Sequence, residues 1–171
     1  MNDRYLSKAK RIDNGEWVEG YYVYHQKRTL CPIGNDILSE DEKQHLITFD
    51  GFSDWNMPRG IDCVEINPNT LCRCTGLKDK NGKLIWENDI LSGHIDDEYP
   101  ENETRKRVVW YENGWCTNEH GCEDYEKLDD FDSENFEVIG NKFGNPDLLE
   151  SENWFVSESD TEKLILIGLE A

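Results

Sequence analysis

The sequence predicts a mainly β fold, a β-rich α+β architecture built as a small barrel with added strands and short helices. Three observations support this. Short runs dense in Val, Ile, Tyr and Trp recur at close spacing; Gly, Asn and Pro punctuate them; few long stretches repeat apolar residues at the helical period. Six Trp, seven Tyr and six Phe in 171 residues supply bulky core groups although only 36% of residues are hydrophobic.

The elements follow in chain order. EWVEGYYVYH (16–25) reads as a strand, bent or bulged at Gly20. Residues 31–60 read as a long connecting loop. Ser39 with Glu42 three positions on forms a capping box, so a short helix is expected there. CVEINPNTLCRCTG (63–76) alternates around an Asn-Pro-Asn turn, and Cys72 and Cys74 should share a strand face.

In TGLKDKNGKLIWENDIL (75–91), Asn81-Gly82 predicts a hairpin turn with positive φ at both residues. Leu84 and Trp86 should face one way and Ile85 the other. Asn88 suits a left-handed turn before Ile90. DDEYPENET (96–104) reads as an acidic linker. Val108–Tyr111 reads as a strand entering a turn at Asn113-Gly114, and Phe136–Ile139 as another strand. Asn145 and Pro146 open a short helix.

The net charge of −19 is uneven. Residues 1–95 carry 15 acidic and 12 basic side chains, a net −3; residues 96–171 carry 22 and 6, a net −16. Such a surface repels nucleic-acid phosphates and anionic membranes, and it either suits a basic protein partner or keeps the domain soluble. Direct nucleic-acid binding is therefore not expected. No run approaches the roughly 20 apolar residues of a membrane span, and the N-terminus has no apolar signal core. The expected compartment is the cytoplasm, where the six cysteines would be free thiols.

The glycines of 75–91 invite two ligand readings, and both fail. A phosphate loop has four residues between its glycines and Ser or Thr after the lysine; here five separate Gly76 from Gly82, and Leu84 follows Lys83. A calcium loop begins with an acidic ligand, and Leu77 stands at that place. Cys116, His120 and Cys122 are weak zinc candidates, since a fourth ligand would have to come from a distant cysteine. No Cys–His or carboxylate pair sits in a diagnostic catalytic frame, so no catalytic residue and no cofactor are expected.

The segment resembles the signature of the YopX family, T-G-L-x-D-x-N-G-x-x-I-[YFW]-E-G-D-I. It matches at Thr75, Gly76, Leu77, Asp79, Asn81, Gly82, Ile85, Trp86, Glu87, Asp89 and Ile90, and Asn88 replaces the usual glycine. Pro68 and Thr70, WVEGYYV (17–23), VVWYENGWC (108–116) and FEVIGNKFGNPDLLE (136–150) extend the resemblance in colinear order. The family consists largely of proteins encoded by bacteriophages and prophages. The resemblance implies a small SH3-like barrel-type core spanning 1–150, with 1–60 as a possible N-terminal subdomain and 151–171 as an extension. It also implies self-association, and it supplies no established activity.

The expected function is thus a non-enzymatic phage or prophage accessory protein that acts by binding or assembly in the host cytoplasm. Gly76, Leu77, Asp79, Asn81, Gly82, Trp86, Glu87 and Asp89 would form its structural motif. One alternative is an acidic mimic of nucleic acid that occupies a basic host protein. Asp96, Asp97, Glu98, Glu123, Asp124, Asp129, Asp130 and Asp132 would then supply the charge. A second alternative is a zinc protein or metal-dependent enzyme built on Cys116, His120 and Cys122.

Overall fold

The structure, a computed structural model, describes residues 3–31, 33–34, 36–94, 103–119, 122 and 124–150. Strands β1 (Ser7–Lys10), β2 (Trp17–Gln26), β3 (Lys43–Asp50), β4 (Ile61–Glu65), β5 (Cys72–Lys78) and β6 (Leu84–Trp86) form one antiparallel sheet, ordered β4-β3-β2-β1-β5-β6. Strands β7 (Asp89–His94), β8 (Glu103–Tyr111), β9 (Gly114–Glu119), β10 (Glu126–Lys127) and β11 (Phe136–Asn141) form a second, ordered β10-β9-β8-β7-β11. Helix α1 (Asp130–Asn135) precedes β11 and α2 (Asp147–Glu150) follows it. The fold is mainly β, as expected. Barrel closure requires the first and last strands of a sheet to pair; here β4 and β6 sit at opposite edges, so the sheets stay open. No described helix is long and apolar enough to cross a membrane.

Most local expectations hold. Asn67 caps a one-turn helix, Pro68–Thr70, by accepting from the Asn69 N–H at 3.1 Å. The Glu42 carboxylate accepts from the Ser39 N–H and hydroxyl at 3.0 and 2.8 Å, capping Glu40–Glu42. Cys72 and Cys74 are buried together against Trp86, with Leu84 alongside. Ile85 enters a different cluster with Leu91, Val108, Leu128 and Phe136. Burying each of these large side chains contributes about 1.5–3 kcal/mol. Three-residue β6 therefore splices two cores together through simple alternation.

Four readings are corrected. Residues 43–50 are a strand, not loop: Ile47 is fully buried with Ala9 and Ile66, while polar Lys43, Gln44, His45 and Thr48 disguise the run. β2 needs no bulge at Gly20. The strand passes from β1 (Ser7↔Gly20) to β3 (Tyr21↔Thr48) there, and a Cβ would lie 2.2 Å from the Thr48 carbonyl oxygen. At 79–83 only Gly82 takes positive φ, +81°; Gly82 N donates to Asp79 O and Asp79 N to Lys83 O, each at 2.8 Å. This is a three-residue hairpin loop with a left-handed glycine, not a two-residue turn. The β8–β9 turn is Glu112-Asn113, because Tyr111 pairs with Gly114 and Glu112 adopts φ +49°.

Candidate functional site

The segment 75–91 builds a seam rather than a ligand loop. Asp79 is 5% exposed, and its Oδ1 accepts from the Asn81 and Lys83 N–H groups at 2.9 Å each. Its Oδ2 accepts from Val138 N at 2.9 Å, and Asn81 Nδ2 donates to Glu137 at 2.9 Å. The loop thus covers β11, an edge strand whose free amides would otherwise invite pairing. Asp89 is fully buried and accepts from Lys8 Nζ, Asn141 Nδ2 and Trp86 N at 2.8, 2.9 and 2.9 Å. Asn88 takes φ +64°, as expected.

Arg73 sets the next layer. Its Nε and Nη2 donate to the two oxygens of Glu87 at 2.9 and 3.1 Å, a bidentate pair. The same guanidinium lies 5.0 Å from both the Trp110 and Trp115 ring centres. Those indoles are directly opposite each other on β8 and β9 and meet edge to face at 5.0 Å. With Tyr5, Tyr21 and Tyr22 they line a cleft of about 610 Å³ between the N-terminal segment and β2 and β5 on one side and the β8–β9 hairpin on the other.

The cleft offers flat aromatic faces around a guanidinium whose charge is already matched. Such a surface contacts apolar and planar groups with little rotamer entropy to lose. Cys74 also lines it, but burial pushes that thiol's pKa up, which works against a nucleophilic thiolate. Reading the sequence missed this cleft. The available signal was Trp110 and Trp115 flanking a predicted turn, which sets them opposite each other.

The family model described as YopX protein matches residues 12–150. The chain belongs to the YopX family. It is also similar to the crystal structure of protein EF1440 from Enterococcus faecalis, with 22% identity, a TM-score of 0.43, and coverage of 84% of this chain and 96% of that one. No curated protein matches the chain significantly.

In this YopX-family chain the acidic candidates are divided among different roles. Asp129 caps α1, its Oδ1 accepting from Phe131 N at 2.9 Å. Asp132 is 4% exposed and lies 3.7 Å from Lys106 Nζ, and burial raises its pKa. It is therefore not part of a charged outer surface, which corrects its place among the partner-binding candidates. Asp124 and Asp130 are exposed. Asp96, Asp97, Glu98, Glu123 and His120 lie outside the described residues.

Cys116 and Thr117 are neighbours on β9 and so face opposite ways. Cys122 lines a pocket on the Thr117 side. The two cysteines are thereby directed apart. Among the described residues no three His, Cys, Asp or Glu side chains gather as a metal site.

Proposed function

We propose that this chain is a non-enzymatic phage or prophage accessory protein that works in the host cytoplasm by binding, and that it first assembles with a second copy of itself. The observation that carries this reading is the outer half of β2. Tyr21, Tyr22, Val23 and Tyr24 are consecutive, and each is 36–42% exposed. Successive side chains point to opposite faces of a strand, so the outer half of β2 shows exposed apolar and aromatic groups on both of its faces. A sheet gains stability by burying at least one face.

A second copy is the favoured occupant because of charge. Two chains of −19 repel, and the N-terminal half, at −3, is where they approach with least repulsion. Ile61 on edge strand β4 is 80% exposed and extends the apolar surface.

Sedimentation velocity of the full chain tests this. The wild type is expected at a multiple of the 20.0 kDa chain mass, and a Tyr22→Ser/Tyr24→Ser variant at the single-chain mass with unchanged circular dichroism. A wild type that stays monomeric at tens of micromolar would overturn the assembly reading. Turnover by the purified chain in a nuclease, phosphatase and deaminase screen would overturn the non-enzymatic one.

A further inference from the structure

The face of the second sheet away from Cys116 carries a small polar pocket that the assembly reading does not use. It has a volume of about 130 Å³ and is lined by Lys106, Thr117, Glu119, Cys122, Asp124 and Glu126. Lys106 is 5% exposed, with Nζ 2.7 Å from Glu126 Oε2, 3.7 Å from Asp132 Oδ1 and 5.2 Å from the Phe136 ring centre. Its charge is thus matched within the fold. Glu119 and Asp124 remain as surplus carboxylates on the pocket wall.

One lining group is out of balance. Thr117 is 1% exposed, and its Oγ1 has no hydrogen-bond partner among the described residues. Asp132 Oδ1, behind Lys106, also has no hydrogen bond. A buried polar atom without a partner costs free energy that a ligand can recover. The hydroxyl can accept as well as donate, so it suits an incoming N–H.

We propose that this pocket receives the guanidinium head of an arginine side chain presented by a basic partner protein. Its volume equals that of about four waters, enough for a guanidinium. A planar fork of N–H donors can reach the carboxylates of Glu119 and Asp124 and the Thr117 oxygen together. A bare divalent cation fits less well, because no three metal ligands gather among the described residues. The acidic residues that line the pocket, Glu119, Asp124 and Glu126, outnumber Lys106 and would draw a basic partner toward it. The site is independent of the β2–β3–β4 blade, so failure of self-assembly leaves it standing.

Titration of the full-length, isotope-labelled chain by NMR tests the assignment. The probes are capped Gly-Arg-Gly, capped Gly-Lys-Gly, the neutral citrulline analogue of the first, and magnesium chloride alone. The arginine peptide is expected to shift the Thr117 and Glu119 amides saturably, more tightly than the lysine peptide, with no response to citrulline. Glu119→Gln with Asp124→Asn should weaken the arginine response by about tenfold, or more, while amides of the first sheet stay in place. Equal responses to arginine and lysine, or to arginine and citrulline, would overturn the guanidinium assignment. A silent Thr117 amide, or one that answers only to magnesium, would do the same.

Discussion

Lys8 Nζ lies 2.8 Å from Oδ1 of Asp89, joining β1 of one sheet to β7 of the other across 81 positions of sequence. The ammonium also sits 5.3 Å from the Trp17 ring centre and 5.2 Å from that of Trp86, so two indoles shield the pair from water. Asp89 is the better satisfied partner, since Asn141 and Trp86 N also donate to it.

Asp89→Ala should therefore destabilise the fold by about 3–5 kcal/mol, the cost of leaving a largely buried cation without its counter-charge. Lys8→Met should cost less, because two other donors still hold the carboxylate. Urea unfolding followed by tryptophan fluorescence measures both. Equal, small losses would show that the pair does not tie the sheets together.

Asn88 holds φ +64°, its N–H donates to Val108 O at 2.8 Å, and its carbonyl accepts from Lys142 N at 2.9 Å. Asn88→Gly should change stability by only a few tenths of a kcal/mol, whereas Asn88→Val should cost about 1–2 kcal/mol through the left-handed backbone. Thermal unfolding of the two variants checks the contrast.

Arg28 holds the Glu42 carboxyl, with help from Ser39, at a pKa of about 2 against an ordinary 4.5; it holds Asp36 at about 2 against 3.8. A lowered folded pKa means that the stabilising contribution is present above the unfolded value and is lost as pH falls through the folded one. The clamp between 28 and 42 should thus be intact above pH 4.5 and open on approach to pH 2. Carboxyl-carbon NMR titration is the measurement, and Arg28→Ala should move both midpoints up toward their ordinary values.

Burial pushes the Cys72 thiol up to about 11 and raises that of Cys74. Cys31, Cys63 and Cys122 are exposed. Iodoacetamide near neutral pH should modify the exposed three first and reach Cys72 and Cys74 only on unfolding. Peptide mass spectrometry over a time course reads the order.

Local chemistry made much of the scaffold legible. The Ser39–Glu42 box, the Asn67 cap, the left-handed Asn88 and the Leu84/Ile85/Trp86 alternation depend on residues within a few positions of one another. β3 was hidden because its only fully buried side chain, Ile47, finds Ala9 of β1 and Ile66 just past β4, leaving a mixed polar run to read. The Asn113-Gly114 turn slipped one residue because the register is set by the pairing of Trp110 with Trp115, which turn propensity does not encode.

By itself, then, the sequence determined the β-rich class, the family, the local caps and the strand alternation, since these can be read from residues close together in the chain. The tertiary structure alone decided what the charges do. Identical carboxylates became a buried anchor at Asp89, a helix cap at Asp129, a counter-ion for Lys106 at Asp132 and an exposed group at Asp124. A carboxylate's role depends on which donors and how much water surround it, and those neighbours arrive only when distant strands meet.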